Sequence, residues 1–335
     1  MRSRRGAPFR GRVEHLRPTY CERASDPAPS SIAACGIRRR TPTSEATSAR
    51  ASPYLREILE LDPARDAQRI AYLDTVYEFP FDTTRSLEFA LFRTYASPAV
   101  SRLLDSTREF AARAQRRYDD TDLILSTIVE SGYDSEIGRR AIRRMNRLHG
   151  RFEIANEDFL YVLSTFVFEP IRWNERYGWR RLVEQERLAA FHFWREVGRR
   201  MGIKDIPDRF DDFERYNVEY ERENVRFSES NRRVAEASRD MFLAWFPGVP
   251  KRLGSHAIAA LMDDRLRKAL RFPRPPRALV RSVRAGLRAR SLAVRVLPPR
   301  RTPKLRTTLR HRTYPSGYVI ESLGPPPADS PRAQA

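Results

Sequence analysis

Cysteine and histidine are scarce in this chain, and their scarcity limits the chemistry it can perform. Of its 335 residues, two are cysteines and five are histidines. Both cysteines, Cys21 and Cys35, lie near the N-terminus, so the body of the chain has neither a disulfide framework nor the paired thiols of a zinc site. Such cysteine usage is typical of a reducing compartment, and we therefore expect a cytoplasmic protein.

Long apolar runs and the common catalytic signatures are also missing. The longest strongly apolar run, residues 159–168, is too short to cross a membrane, and the arginine-rich N-terminus lacks the apolar core of a secretory signal. The sequence has no glycine-rich nucleotide loop, no Gly-x-Ser-x-Gly and no His-Glu-x-x-His. A di-iron carboxylate bundle would need Glu-x-x-His pairs, but Asn146 precedes His149 by three residues and Ala189 precedes His192.

Net charge is nearly absent from the middle of the chain, although the whole chain carries +20. The stretch from Arg265 to Arg312 holds 17 Lys and Arg and no acid, and residues 1–50 hold 11 Arg against four acids. Residues 51–264 are left with a net charge of −3. The basic character therefore belongs to the two ends, and we expect no specific nucleic-acid partner for the body.

Composition and helix breakers divide the chain into three regions. Residues 1–52 are rich in Arg, Pro and Ser without apolar periodicity, so we expect a disordered segment. Residues 53–272 show successive amphipathic helical patterns and no alternating strand pattern of useful length. Residues 273–335 form a basic, proline-rich tail. The predicted fold class is all-α, with a single multi-helix domain between the two ends.

Several helix boundaries can be predicted from capping residues and prolines. We expect Asp134 or Ser135 to cap the arginine-rich helix that follows, and residues 156–158 to cap the next helix. Pro170 is expected to end or kink that next helix. Another helix is expected to begin at residues 120–121.

The tail contains one further amphipathic helix. Its pattern favours two readings: attachment to an anionic membrane surface, or packing on the domain with the arginines in solvent. An apolar face and a basic face alternate at helical spacing, with Leu279, Val280, Val283 and Leu287 on the first and Arg277, Arg281, Arg284 and Arg288 on the second.

His149 is the most informative residue in the body. Read at 3.6 residues per turn, it shares one helix face with Ile142, Met145, Asn146 and Phe152. An imidazole on an otherwise apolar face is either a hydrogen-bonded core residue or a ligand of a metal or haem iron. Because no Cys-x-x-Cys-His occurs, any haem would be held without covalent attachment.

Five segments, read in order, resemble one family. They are residues 77–82, 117–121, 144–149, 156–161 and 169–173. Together they are similar to the catalytic domain shared by the MpaB-type ER-bound oxygenases and the bacterial rubber oxygenases (latex clearing protein), and they are closer to the MpaB branch. The resemblance covers roughly residues 55–270. It implies an all-helical fold, a non-covalent b-type haem, dioxygen as co-substrate and a lipophilic, isoprenoid-like substrate.

The resemblance also assigns roles to particular residues. His149 falls on the proximal iron ligand, and the spacing of Arg117 and Thr121 matches a distal pair of the rubber oxygenases. Asp120 stands where those enzymes have a lysine, and Asn146 where they have an arginine. The stretch 162–165 lacks the second histidine of many bacterial relatives.

Other site residues follow from the chemistry that such a site needs. Arg143 and Arg147 are candidates for holding haem propionates, or else solvated helix arginines. Asn146 is a candidate for orienting the imidazole, or else a plain core hydrogen bond. We expect His192 to be a core residue, and Glu169 with Arg172 to form a structural ion pair.

The leading functional hypothesis is a haem b-dependent oxygenase that uses dioxygen on a lipophilic substrate. A second hypothesis is a non-catalytic helical binding protein that attaches to anionic membranes or acidic partners through its basic tail. A third is a different haem activity, such as peroxidase or haem carriage. For the first two hypotheses we expect a cytoplasmic protein. The basic tail offers, as an option, a peripheral position at the inner face of the membrane.

Overall fold

The computed structural model describes residues 52–325, which are helical with no β-strand among them. The all-α prediction is confirmed. Residues 1–51 of the predicted N-terminal segment and residues 326–335 lie outside the described residues. In chain order the helices are α1 (Pro53–Glu60), α2 (Ala67–Leu73), α3 (Pro80–Tyr95), α4 (Pro98–Ser106), α5 (Glu109–Ser131), α6 (Glu136–His149), α7 (Asn156–Tyr177), α8 (Glu184–Arg200), α9 (Phe210–Asn224), α10 (Glu229–Ala244), α11 (Lys251–Ala259), α12 (Asp264–Ala269) and α13 (Arg277–Val296).

Local signals set some of these boundaries. Ser135 caps α6 as predicted, because its side chain accepts a hydrogen bond from the backbone N–H of Gly138. The predicted start of a helix at residues 120–121 is wrong, since α5 begins at Glu109 and buries Phe110 and Tyr118 before that point. Helix α5 is interrupted by a kink at Arg113, where φ is −144° and ψ is 45°, and its second part begins before residue 120.

Pro170 does not end α7 and Asn156 does not cap it, although the prediction had allowed both. The helix continues through Pro170 to Tyr177, so Pro170 does not end it. Its N-cap is Ala155 rather than a residue in 156–158. The side chain of Asn156 instead bonds the backbone of Lys204 in both directions, at 2.9 and 2.8 Å. Asn156 therefore ties α7 to the loop after α8.

Apolar side chains collect in two clusters. The larger surrounds α7, with Leu163, Val167 and Phe168 packed against residues of α2, α5, α6 and α8. The smaller joins α3, α10 and α12 around Phe92 and Phe272. Apolar burial at about 25 cal/mol per Å² is the dominant favourable contribution to folding. Helix α7 is largely buried because it is apolar on most of its circumference.

Arg93 on α3 forms a buried ionic network. Its Nε lies 2.6 Å from Glu169 Oε1 as a close ion pair, while its two terminal nitrogens donate hydrogen bonds to Glu221 at 3.2 Å and Asp263 at 2.7 Å. Glu169 also pairs with Arg172 at 3.3 Å. The Glu169–Arg172 pair is structural, as expected, and it belongs to a larger network that ties α3 to α7 and α9.

The basic C-terminal part packs against the helical body. Arg290 on α13 pairs with Asp82 at 3.0 Å, and Ser291 donates a hydrogen bond to the carbonyl of Gly178 at 2.7 Å. Beyond α13, Ile320 and Leu323 join the larger apolar cluster. The segment 304–325 is therefore part of the packed fold, although the prediction had placed it in a tail that starts at residue 273.

Residues 304–325, called the C-terminal strap below, are held by acids of α5. Arg306 pairs with Asp122, and Thr313 donates its backbone N–H to Asp119 at 2.9 Å. Tyr314 donates a short hydrogen bond to Asp120. Because α5 presents these carboxylates along one side, the strap runs over this helix towards the C-terminal end of α6.

Replacing Arg93 tests the buried network. Arg93→Met should lower the free energy of unfolding by about 3–5 kcal/mol, because it leaves three carboxylates facing one another without their cation. Urea-induced unfolding followed by circular dichroism measures the change. Arg65→Met, at an exposed ion pair with Asp66, is the matched control and should leave stability nearly unchanged. Equal stability of the two variants would contradict the role given to Arg93.

Candidate active site

His149 is the last residue of α6, and it lies at the wall of a cavity. Helix α6 buries Ala141, Ile142 and Met145 against the larger apolar cluster, which fixes the face from which the imidazole projects. The edge of the ring meets Phe159 of α7, with the ring centroids 5.3 Å apart and the planes at 80°. The imidazole therefore has an aromatic neighbour that restricts its rotation.

The cavity beside His149, called the His149 cavity below, is large and mainly apolar. Its volume is about 280 Å³, close to the lower end for small-molecule sites. All atom-free space in this region, including space open to solvent, amounts to about 1900 Å³. Residues from α3 to α8 and from α10 contribute, among them Leu103, Leu125, Val162, Phe166, Trp194 and Phe242. A cavity of this kind admits a lipophilic molecule and excludes bulk water from most of its walls.

His149 is uncharged in this setting. Burial, followed by the positive charge of Arg117, lowers the pKa of His149 from 6.5 to about 4. Its Nδ1 is buried and has no hydrogen-bond partner among residues 52–325. A buried polar atom without a partner costs roughly 1–3 kcal/mol, so it calls for an explanation. A neutral imidazole with an unpaired nitrogen is the form that ligates a metal.

Arg117 and Thr121 lie one helical turn apart on α5 and line the same cavity as His149. The Arg117 guanidinium donates a short hydrogen bond to Thr121 Oγ1, and that hydroxyl donates to the backbone carbonyl of Arg117 at 3.0 Å. The guanidinium also sits over the ring of Phe110, 5.7 Å from its centroid. The structure therefore brings the predicted distal pair and the predicted ligand into one chamber.

The other three residues predicted for this site do not line the cavity. Arg143 is exposed and pairs with Glu136 at 2.9 Å, and Arg147 is exposed on the same side. Asn146 donates a hydrogen bond to the carbonyl of Arg200 at 2.9 Å, so its amide ties α6 to α8. Helical spacing had grouped only Asn146 of these with His149, whereas Arg143 and Arg147 had been candidates for holding haem propionates or else solvated helix arginines.

His192 is half-buried and lies outside the His149 cavity. Its ring is 5.0 Å from that of Phe191 on the same helix. Burial, followed by the charge of Arg195, lowers the pKa of His192. The prediction had made His192 a core residue, whereas it is only partly buried beside Phe191.

Several cavity residues were missed by sequence reasoning. Asp120, Asp158 and Phe159 line the cavity, as do Gly324 and Pro325 at the end of the C-terminal strap. Gly324 has a positive φ of 87°, and a Cβ there would lie 2.6 Å from a methyl carbon of Leu148. Only glycine lets the backbone come this close to α6. No signal in the sequence places residue 324 beside residue 148.

Residues 52–325 contain no group of three or more His, Cys, Asp or Glu side chains placed to hold a metal ion. In the same part of the chain, no helix combines the length and hydropathy needed to span a bilayer.

Sequence comparisons identify similar proteins. The ER-bound oxygenase mpaB' of Penicillium brevicompactum is 30% identical over 246 residues, which cover 68% of this chain and 58% of that protein. The ER-bound oxygenase mpaB of Penicillium roqueforti (strain FM164) is 30% identical over 213 residues, covering 58% of this chain and 72% of that protein. The mpaB of P. brevicompactum is 36% identical over 132 residues, covering 38% of this chain and 34% of that protein.

The matched part of the chain thus spans little more than half the length of the first of these relatives. A family model described as "ER-bound oxygenase mpaB/B'/Rubber oxygenase, catalytic domain" matches residues 89–296. That match includes Arg117, Thr121 and His149 and covers well over half of the chain. The chain therefore belongs to the catalytic-domain family of the ER-bound oxygenases mpaB/B' and the rubber oxygenases.

Proposed function

We propose that this protein is a haem b-dependent oxygenase that uses dioxygen on a lipophilic substrate. The observation that carries the proposal is a neutral imidazole, His149, with an unpartnered buried nitrogen at the wall of a large apolar cavity. Family membership supports oxygenase chemistry, since the relatives are named oxygenases.

The residues around His149 fit a non-covalent haem. A b-type haem needs an imidazole ligand and mainly apolar surroundings, and the His149 cavity would supply both. When bound, the haem iron supplies activation of dioxygen. His149 would hold the iron because its low pKa keeps a nitrogen lone pair free across the physiological range.

Arg117 and Thr121 would act on the reacting side of the cavity. Arg117 is the positive charge whose field lowers the pKa of His149. A fixed guanidinium in an apolar chamber stabilises negative charge that develops on oxygen, because it needs no reorganisation. The mutual hydrogen bonds of Arg117 and Thr121 hold both groups in place. Thr121 would position a polar atom of the bound molecule through a hydrogen bond with its hydroxyl group.

The walls of the cavity favour a lipophilic substrate. Apolar and aromatic side chains such as Leu103, Val162 and Phe242 make up most of the lining. Burying an apolar ligand against them contributes about 25 cal/mol per Å² removed from water. Exclusion of water also strengthens the electrostatic contribution of Arg117.

His149→Ala tests the proposed iron ligand. The purified wild-type protein should show a Soret band and about one haem per chain. The alanine variant should lose most of the haem, because the axial nitrogen is gone. Absorption spectra with a pyridine haemochromogen assay measure the occupancy. His192→Ala is the matched control and should keep full haem, whereas full occupancy in His149→Ala would rule His149 out.

A colourless wild-type protein would instead favour the non-catalytic binding protein. A red protein that yields no dioxygen-dependent product would favour a peroxidase or a haem carrier.

Arg117→Ala tests the distal role. Haem content should stay close to that of the wild type, while the rate of dioxygen-dependent turnover should fall by about 100-fold or more, as for removal of one preorganised charge-stabilising donor. Stopped-flow mixing of the reduced protein with dioxygen follows the reaction. Arg117→Lys keeps the charge without the planar fork and should recover part of the rate. Unchanged turnover in Arg117→Ala would contradict the assignment.

We also propose that α13 attaches the protein to an anionic membrane surface. Arg290 and Ser291 fix one face of α13 to the body, while Arg281, Arg284 and Arg288 remain exposed. Near its C-terminal end the exposed apolar side chains Leu292 and Val296 adjoin these charges, with Val296 84% exposed. Arginines beside exposed apolar groups suit the boundary between headgroups and acyl chains.

Replacing Arg281, Arg284 and Arg288 together by Ser tests this attachment. Partitioning to vesicles with 30 mol% phosphatidylserine should fall by about 10- to 100-fold, and added salt should reduce the wild-type binding. Co-sedimentation measures it. The control replaces the exposed Arg209, Arg215 and Arg222 by Ser, which changes the net charge equally. Equal loss in both triple variants would mean that net charge alone drives binding. Point substitutions are preferable to deletion, because deletion would remove the packed strap.

A further inference from the structure

A second cavity adjoins the His149 cavity, and we call it the Asp74 chamber. It has a volume of about 110 Å³ and is lined by residues of α3, α5, α7 and α8 together with the π-helical turn Asp74–Glu78. Its walls are mainly apolar, as at Leu87, Ile171 and Phe193. An apolar cavity of comparable size, roughly 150 Å³, holds a benzene molecule. The Asp74 chamber is therefore large enough for one ring or a short branched chain.

The two cavities share part of their walls. Six residues line both of them: Leu91, Tyr118, Thr121, Leu125, Phe166 and Trp194. Thr121 belongs to the proposed distal pair, so the boundary of the Asp74 chamber is also a boundary of the reacting space. An elongated ligand that passes Leu125 and Phe166 would occupy both cavities at once.

Two buried oxygen atoms at the Asp74 chamber lack a hydrogen-bond partner among the described residues: Asp74 Oδ1, on a carboxyl group, and Asn174 Oδ1, on an amide. Asp74 lines the chamber, and its Oδ1 is buried without a hydrogen-bond partner among the described residues. Glu88 also lines it, but Glu88 accepts a hydrogen bond from the Tyr118 hydroxyl at 2.8 Å and pairs with Arg85 at 2.6 Å. Asp74 is thus the carboxyl group whose bonding capacity is unused.

Burial and neighbouring charges act on the carboxyl group of Asp74. Arg180 pairs with both Glu78 and Glu186 at distances of 2.5–2.6 Å, which leaves Asp74 without an ion-pair partner in the described part of the chain. Glu186 also accepts the backbone N–H of Val183 at 2.6 Å. Burial, followed by the charge of Glu186, raises the pKa of Asp74 well above its usual range. Burial and the charge of Glu186 therefore favour the protonated form of Asp74.

We propose that the Asp74 chamber binds a hydroxyl-bearing end of an apolar ligand, whose O–H donates a hydrogen bond to Asp74 Oδ1. An unpartnered Oδ1 accepts a hydrogen bond, so it selects a donor over an isosteric apolar group. The ligand class is an apolar alcohol or phenol. This inference rests on the proposed function, because it places one end of the substrate of that same site.

The test compares phenol with toluene, which is of similar size but has no hydroxyl group. Calorimetric titration of the full-length protein gives the ratio of the two affinities. Asp74→Leu keeps the approximate side-chain volume and removes the acceptor. The phenol-to-toluene affinity ratio should therefore fall by about 5- to 10-fold, which corresponds to the net free energy of one neutral hydrogen bond. Asp74→Asn keeps an acceptor oxygen and can donate to Glu186 through its amide. It should preserve the wild-type ratio.

A second pair of variants locates the binding and covers the case in which Asp74→Leu does not fold. Ala190 lines the Asp74 chamber and not the His149 cavity. Ala190→Leu should fill the chamber and weaken both probes by at least about 10-fold. Ala278→Leu, on the exposed face of α13, is the control and should bind both probes as the wild type does.

An unchanged ratio in Asp74→Leu, or unchanged phenol affinity in Ala190→Leu, would overturn the proposed chamber. Soret absorbance of the same samples separates this result from the proposed function. A wild type without haem whose hydroxyl preference depends on Asp74 would refute the haem proposal and support the chamber. Full haem occupancy together with a phenol-to-toluene ratio that does not depend on Asp74 would support the haem proposal and refute the chamber.

Discussion

The buried charge of Arg93 links the two apolar clusters of this fold. Its neighbour Phe92 belongs to the smaller cluster, whereas Phe168, the neighbour of its partner Glu169, belongs to the larger one. Burial opposes the charge, but the carboxylates of Glu169, Glu221 and Asp263 together raise the pKa of Arg93 above its usual range. Desolvating such a network is costly, so it stabilises the fold only if every partner is present. That condition fixes how α3, α7, α9 and the N-terminus of α12 meet.

Ionic and apolar regions are kept apart by this arrangement. The acids around Arg93 and those around Arg180 are neutralised within their own networks. The His149 cavity can therefore be lined mainly by apolar groups, with Arg117 as the cation that acts on the imidazole. Low polarity in the walls lowers the pKa of His149 and also favours a lipophilic ligand. One physical property of the cavity thus supports both parts of the proposed function.

The basic residues of the C-terminal part divide between two environments. Those of α13 such as Arg284 and Arg288 remain exposed, which leaves them free for an anionic surface. Arg306 instead pairs with Asp122 on α5. Arg306 belongs to the C-terminal strap, which comes close to Leu148 at Gly324. Composition alone cannot separate these roles, because both groups of arginines lie in one run without acids. Asp122, the partner of Arg306, lies on a helix 184 residues earlier in the chain.

Much of this protein was determined by its sequence. Helical periodicity predicted the all-α class, the cap at Ser135 and the two faces of α13, because these depend on neighbours within a few residues. Helical spacing also placed Arg117 and Thr121 on one face, and the five ordered segments indicated the family. A lone histidine on an apolar face singled out His149 as a core residue or a ligand, and the family resemblance assigned it the ligand role.

Tertiary structure decided which side chains share a cavity. Periodicity grouped Asn146 with His149, but the contact between α6 and α8 gave Asn146 to the carbonyl of Arg200. Asp120 lies beside Thr121 in sequence, yet its partner is Tyr314. The Arg93 network and the pairing of Asp74 with Glu186 join residues that are between 76 and 170 positions apart. Such pairings depend on how the helices pack as a whole, so no local pattern encodes them.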